Sequence, residues 1–183
     1  MRNLIKLVLI TLLWSFLMTP PNSAHAQENK GDEKDILVLE TTAGDIKIKM
    51  LPDTAPQHVE RIKKLAQEDF YDNVVFHRVI EGFMAQTGDP TGTGRGGSDY
   101  PDLPAEFSSI NFDRGTVGMA RTSDPDSANS QFFICFDDCS FLNNQYTVWG
   151  QVIEGMDNVD KLAVGEPPRN PDMIVDAHLN AED

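Results

Sequence analysis

The sequence predicts a mainly β domain, an antiparallel barrel or sandwich with two helices, and three observations carry that reading. About eight short segments have the alternating or continuous apolar character of strands and are bounded by turn residues. Only two stretches show helical periodicity. No helix falls between successive strands, which excludes a doubly wound parallel sheet.

The elements follow in order along the chain. Ile36–Glu40 and Ile46–Met50 flank Thr42-Ala43-Gly44-Asp45 and read as a hairpin. Ile46, Ile48 and Met50 alternate with Lys47 and Lys49, so one face is buried and the other wet. Pro52-Asp53-Thr54-Ala55-Pro56 opens a helix, because a first turn does not need the N–H that proline lacks. Val59, Ile62, Leu65 and Ala66 form its apolar stripe through about Gln67. Phe76–Asp89 (FHRVIEGFMAQTGD) holds two apolar runs on either side of Glu81-Gly82, which read as two short strands. Thr91–Gly97 (TGTGRGG) is a surface loop needing positive φ angles. It lacks the Gly-Lys-Ser/Thr ending and the following helix of a phosphate-binding loop. Prolines keep Pro101–Phe107 extended. Strands resume at Gly115–Arg121, Gln131–Cys135 and Thr147–Ile153, with a polar loop, Thr122–Ser130, between the first two. Gly155–Leu162 is a short helix with Met156, Val159 and Leu162 on one face, and Met173–Leu179 is the last strand.

At 183 residues the chain accommodates one domain and an appendage. Residues 1–26 carry Arg2 and Lys6, an apolar run over Leu7–Met18, and the small-x-small triplet Ala24-His25-Ala26. That pattern predicts a signal peptide cleaved after Ala26, and the apolar run is short for a membrane span. A polar leader, 27–35, then precedes the domain at 36–183. The chain is expected to be exported, to the periplasm in a Gram-negative host, with no stable membrane insertion. A net charge of −14 argues against nucleic-acid binding, which needs clustered Lys and Arg.

Several chemistries find no support. His58, His77 and His178 lack metal-ligand spacing, and His77 reads as a packed, hydrogen-bonded histidine. There is no nucleophile elbow. Cys135 and Cys139, spaced C-x-x-x-C, read as free thiols, Cys135 being buried at the end of an apolar run. A thiol redox protein would need them joined. What remains is a stretch of apolar side chains with one guanidinium, Arg78, and one amide, Gln86. An Arg on a core-type strand costs desolvation unless it is paired or used. One reading is a structural ion pair. The other is a chemistry without nucleophile or proton transfer, rotation about an imide bond.

Phe76–Asp89 strongly resembles the signature of the cyclophilins, the peptidyl-prolyl cis–trans isomerases. The resemblance continues through Gly115–Arg121, Asn129–Ile134 and Val148–Met156, and spans about Ile36 to Leu179. It implies a closed eight-stranded antiparallel barrel capped by two helices, with the site in a groove on its outer surface. Arg78 matches the family's catalytic arginine. Phe83, Met84 and Phe133 match the wall and floor of a proline pocket, and Gln86 and Gln131 the polar groups beside it. Ala120, Arg121 and Thr122 match a backbone ledge, Gly92 a loop glycine at the groove's far end, and Phe141 and Leu142 the rim. Two positions depart. Phe141 stands where many eukaryotic members carry Trp, which removes an indole donor. Tyr146 stands where they carry His, and keeps a ring face and a hydroxyl at the site. The resemblance implies an isomerase without metal or cofactor, acting as a monomer on unfolded or partly folded polypeptides containing X–Pro bonds. The alternative is a chaperone that binds proline peptides in the same groove without turnover.

Overall fold

The computed structural model describes residues 35–180; the predicted signal peptide (1–26) and residues 27–34 of the leader lie outside the described residues. β1 (Ile36–Thr41) and β2 (Ile46–Met50) form the expected hairpin, with Leu37 opposite Ile48 and Leu39 opposite Ile46. The strands β3 (Arg78–Ile80), β4 (Met84–Thr87), β5 (Thr116–Met119), β6 (Phe132–Cys135), β7 (Val148–Glu154) and β8 (Ile174–Leu179) follow. Helix α1 (Pro56–Gln67) lies between β2 and β3, and α2 (Met156–Val159) between β7 and β8. Among the described residues the eight strands make one antiparallel sheet in the order β3-β4-β6-β5-β7-β2-β1-β8.

Closure of the barrel by strand pairing, which the resemblance implied, is not observed: β3 and β8 stand at the two ends of the sheet. The reason lies in the backbone of Val79. Its N–H and C=O are both taken by Gly165, at 2.8 and 2.9 Å, in the segment that precedes β8. With those groups occupied, three-residue β3 has no ladder to offer β8. Among the described residues, the backbone bridges near the two ends are isolated ones, Val79 to Gly165 and Val75 to Met173. The sheet is therefore curled, with its ends stitched rather than zipped.

Both faces of the central strands are apolar. Leu37, Ile48, Val117, Ile134 and Trp149 are fully buried inside, and Val59, Ile62 and Leu65 of α1 join them. Phe132 meets Trp149 and Tyr71 edge to face, at 5.4 and 5.6 Å between centroids, and the Tyr71 hydroxyl donates to Ser130 O at 3.0 Å. A second cluster, Met84, Phe112, Phe133, Cys135, Cys139, Leu142 and Val148, covers the outer face. Two-sided burial explains why β5 and β6 read as continuous apolar runs rather than alternating ones. Cys135 and Cys139 are buried thiols. Burial pushes both pKa values up, which disfavours the thiolate form.

The start of α1 depends on a residue far away in sequence. Ala55, at its N-cap, supplies no side-chain acceptor. Glu106 does so instead, accepting from Gln57 N and His58 N at 3.1 Å each and lying 2.6 Å from His58 Nδ1. A carboxylate there satisfies orphan donors and suits the positive end of the helix. Burial alone would raise the Glu106 pKa, but the hydrogen bonds from His58 and the two amides outweigh it and the value is lowered. Burial lowers that of His58, against the opposing pull of Glu106.

Glu106→Ala should destabilise the fold by about 2–3 kcal/mol, since it orphans two helical N–H groups and His58 Nδ1. The sign with pH follows from the lowered Glu106 pKa. The advantage of the wild type is full above the unfolded value of about 4.3 and shrinks as pH falls through the folded one. Denaturant melts of both proteins between neutral and acidic pH would check this; a gap that widens in acid would contradict it.

Candidate functional site

Strand register assembles the site. Arg78 on β3 pairs with Gln86 on β4, Gln86 with Phe133 on β6, and Phe133 with Gly118 on β5. Directly opposed residues share a face of the sheet, and Phe133 belongs to the outer cluster, so this row lies on the outside. Their sequence neighbours Val79, Ala85, Ile134 and Val117 point into the core. Gly118 makes room in the row: a Cβ there would stand 2.7 Å from Phe133 Cζ and 2.5 Å from Phe112 Cε1. Phe133 accordingly stacks on Phe112 at 5.7 Å and is held edge-on by Tyr146 at 5.8 Å.

Over this floor opens a cavity of about 120 Å³ lined by Arg78, Phe83, Met84, Gln86, Ala120, Arg121, Phe133, Leu142 and Tyr146. All nine are residues that the resemblance assigned to the site. The short 3-10 turn Ser140–Leu142 buries Leu142 and leaves Phe141 61% exposed at the rim, 5.2 Å from the Phe83 ring. Beside it lies a larger, more polar hollow of about 480 Å³, which shares Gln86, Ala120 and Arg121. Thr122 and Gln131 line that hollow and not the apolar one. Gly92 lines neither; its N–H donates to Asp89 O at 3.0 Å within the glycine-rich loop.

A line of polar contacts joins the two hollows. Arg78 Nε donates to Glu166 Oε2 at 2.7 Å, and Arg78 Nη1 to Gln86 Oε1 at 3.4 Å. Gln86 Nε2 donates to Gln131 Oε1 at 2.9 Å, and Gln131 Nε2 to Gly96 O at 2.8 Å. Arg78 is thus ion-paired at a partly exposed position, and it also lines the cavity. Arg121 is committed elsewhere, donating to Gln145 O and Thr122 O, with its guanidinium 4.3 Å above the Tyr146 ring. His77 is packed and buried as expected, and burial lowers its pKa against the opposing pull of Asp89.

The glycine-rich loop is organised by Asp89, to which the sequence reading gave no role. The carboxylate is fully buried and accepts from the backbone N–H groups of Thr91, Thr93, Gly94, Arg95 and Gly96, at 2.7–3.1 Å. Such a run of amides makes an anion nest, and here the anion is built in. Burial would raise the Asp89 pKa, but the bonds from Thr91, Gly96 and Gly94 hold it near 2. Gly96 must lack a side chain, since a Cβ would lie 2.2 Å from Asp89 Oδ1. The local signal was an Asp directly ahead of a glycine-rich run, where several free amides lie within reach of one carboxylate. Glu166 was missed as well, and no local pattern marks it.

The family model for "Cyclophilin type peptidyl-prolyl cis-trans isomerase/CLD" matches residues 36–179. A Brucella suis protein, "Probable peptidyl-prolyl cis-trans isomerase", is 52% identical over 167 residues, which cover 82% of this chain and 85% of that one. The human peptidyl-prolyl cis-trans isomerase-like 3 is 40% identical over 151 residues, 78% of this chain and 91% of its own length. The crystal structure of a Cryptosporidium parvum cyclophilin type peptidyl-prolyl cis-trans isomerase, in the presence of the dipeptide Ala-Pro, superposes with a TM-score of 0.76. It is 30% identical and covers 80% of this chain and 99% of that one.

Asp89→Asn replaces one acceptor oxygen with an NH2 group that must face donors. It should cost about 2–4 kcal/mol and loosen Thr91–Gly96. Amide hydrogen exchange would show the loop amides losing protection ahead of the sheet; unchanged protection would show that the nest does not depend on the charge.

Proposed function

The chain belongs to the cyclophilin-type peptidyl-prolyl cis–trans isomerases, and from that membership we propose that Arg78 lowers the barrier to X–Pro rotation in exported polypeptides held in the groove beside it. The observation that carries this reading is that Arg78 lines the same small cavity as Phe83, Met84, Phe133 and Leu142. The Ala-Pro dipeptide of the Cryptosporidium structure supports a proline peptide as the occupant.

Partial C–N double-bond character sets the rotation barrier at about 18–20 kcal/mol. In the half-turned state the imide nitrogen's lone pair leaves conjugation and accepts a hydrogen bond. A donor aimed there stabilises that state over either planar one, which is the condition for acceleration. Arg78 suits the part, because guanidinium stays protonated and carries its donors in a rigid fork. It works as an electrostatic stabiliser and transfers no proton. The apolar cavity buries the proline ring. The backbone at Arg121 holds the chain, between the N–H groups of Ala120 and Thr122, which are committed to Gln131 O and Ser127 Oγ.

An acceleration of about 10⁵ requires about 7 kcal/mol. One preorganised donor supplies about 3–4 kcal/mol. Arg78 therefore shares the work with anchoring and with water exclusion at Phe133 and Phe83.

The pattern of residues 1–26 supports export and cleavage after Ala26. Among the described residues no helix is long and apolar enough to cross a membrane. The substrates of this reading are unfolded or partly folded exported chains, met by a monomer that assists their folding.

In a protease-coupled peptide assay at low temperature, Arg78→Ala should lose about 100-fold or more in kcat/KM while melting as the wild type does. Near-full activity would remove Arg78 from the mechanism, and a wild type that leaves the isomerisation rate unchanged would be a pure binder. Intact-mass measurement of the exported protein should find a chain beginning at Gln27; a mass that includes residues 1–26 would refute cleavage.

A further inference from the structure

We infer that Glu166 is a positioning residue for Arg78, a role that rests on the reading of Arg78 given above. Its carboxylate holds the guanidinium at Nε, while Nη1 reaches Gln86 Oε1, which lines the cavity together with Arg78. The Nε–Oε2 contact, at 2.7 Å, is the short, charge-assisted bond to this guanidinium. The contact on the other edge, Nη1 to Gln86 Oε1, is long at 3.4 Å and restrains little by itself.

What makes Glu166 more than a passing surface partner is the way its backbone is held. Gly165, next to it, exchanges both backbone hydrogen bonds with Val79, the residue next to Arg78, at 2.8 and 2.9 Å. That two-way bridge fixes the spacing between the two chain segments one residue from the ion pair. The segment is tied further along too: Ala163 N donates to Asp172 Oδ2 at 2.8 Å, and Thr42 Oγ1 to Asp172 Oδ1 at 2.7 Å. The bridge that takes Val79 away from β8 is thus the one that delivers a carboxylate to Arg78.

Both partners are well exposed, Arg78 39% and Glu166 54%, so the pair adds little to global stability. Its effect lies in orientation. An arginine side chain on an open surface samples many rotamers, and a donor that must meet a nitrogen lone pair works only from a narrow range of them. The paired carboxylate also offsets part of the guanidinium charge beside an apolar floor.

The test is a kinetic cycle on the full protein, with an X–Pro peptide as substrate. Glu166→Ala should lower kcat by about five- to tenfold, leaving KM within about twofold and the melting temperature unchanged. Glu166→Gln, whose amide oxygen still accepts from Nε, should recover most of that loss. In an Arg78→Ala background, Glu166→Ala should have no further effect, because its only route to the reaction has gone. Full kcat in Glu166→Ala, a rise in kcat, or an equal loss in both backgrounds would overturn the positioning role while Arg78 kept its own. Full activity in Arg78→Ala alone would instead overturn the reading of Arg78, and the role of Glu166 with it.

Discussion

Register across four strands is the constraint on which this structure turns. Side chains on a strand alternate in facing, so a slip of one residue would send every member of the outer row inward. Arg78, Gln86 and Phe133 meet on the outside only because β3, β4 and β6 pair as they do. The register is over-determined: Val79, Ala85 and Ile134, one residue along, are locked in the interior. The same pairing builds both the core and the site. Gly118 completes it, being small enough to let Phe133 lie against Phe112.

Around this row, two carboxylates, buried Asp89 and half-buried Glu106, do what local sequence does not. Asp89 gathers five backbone amides into a loop that borders the polar hollow. Glu106 caps a helix whose own N-cap residue has nothing to give. In both, hydrogen bonds to the charged form outweigh the cost of burial and hold the pKa down. A chain with net charge −14 thus carries much of its acidic repulsion at the surface, while these two charges inside are fully engaged. Both contributions weaken in acid, in line with the general course of acid denaturation.

In the proposed reading, the site divides the labour of the reaction between an apolar socket and a polar line. The socket of that reading asks for shape and an apolar lining, and Phe83, Met84, Phe133 and Leu142 line one cavity. The polar line runs from Glu166 through Arg78, Gln86 and Gln131 to Gly96, and its short Glu166–Arg78 bond is the one we propose orients the guanidinium. Isomerisation breaks no bond in the backbone, and so calls for neither nucleophile nor base. That is consistent with thiols whose protons burial retains and with a His77 kept neutral by its surroundings.

Strands and helices were legible in the amino-acid pattern, and the resemblance to the cyclophilins marked out Arg78 and the apolar side chains that line its cavity. Each of these is written in local periodicity, as in Ile46, Ile48 and Met50, or in a contiguous motif such as Phe76–Asp89. The local chemistry of the thiols was legible too, since Cys135 closes an apolar run. Folding alone settled that β3 meets Gly165 and not β8, that Gly92 stands off the cavities, and that Glu106 serves α1. It also decided that Glu166 reaches Arg78. The physical reason is distance along the chain: Glu166 and Arg78 are 88 residues apart, and Glu106 and His58 are 48. A carboxylate in a polar loop looks the same in sequence whether it faces water or a guanidinium, and only the folded backbone chooses between them.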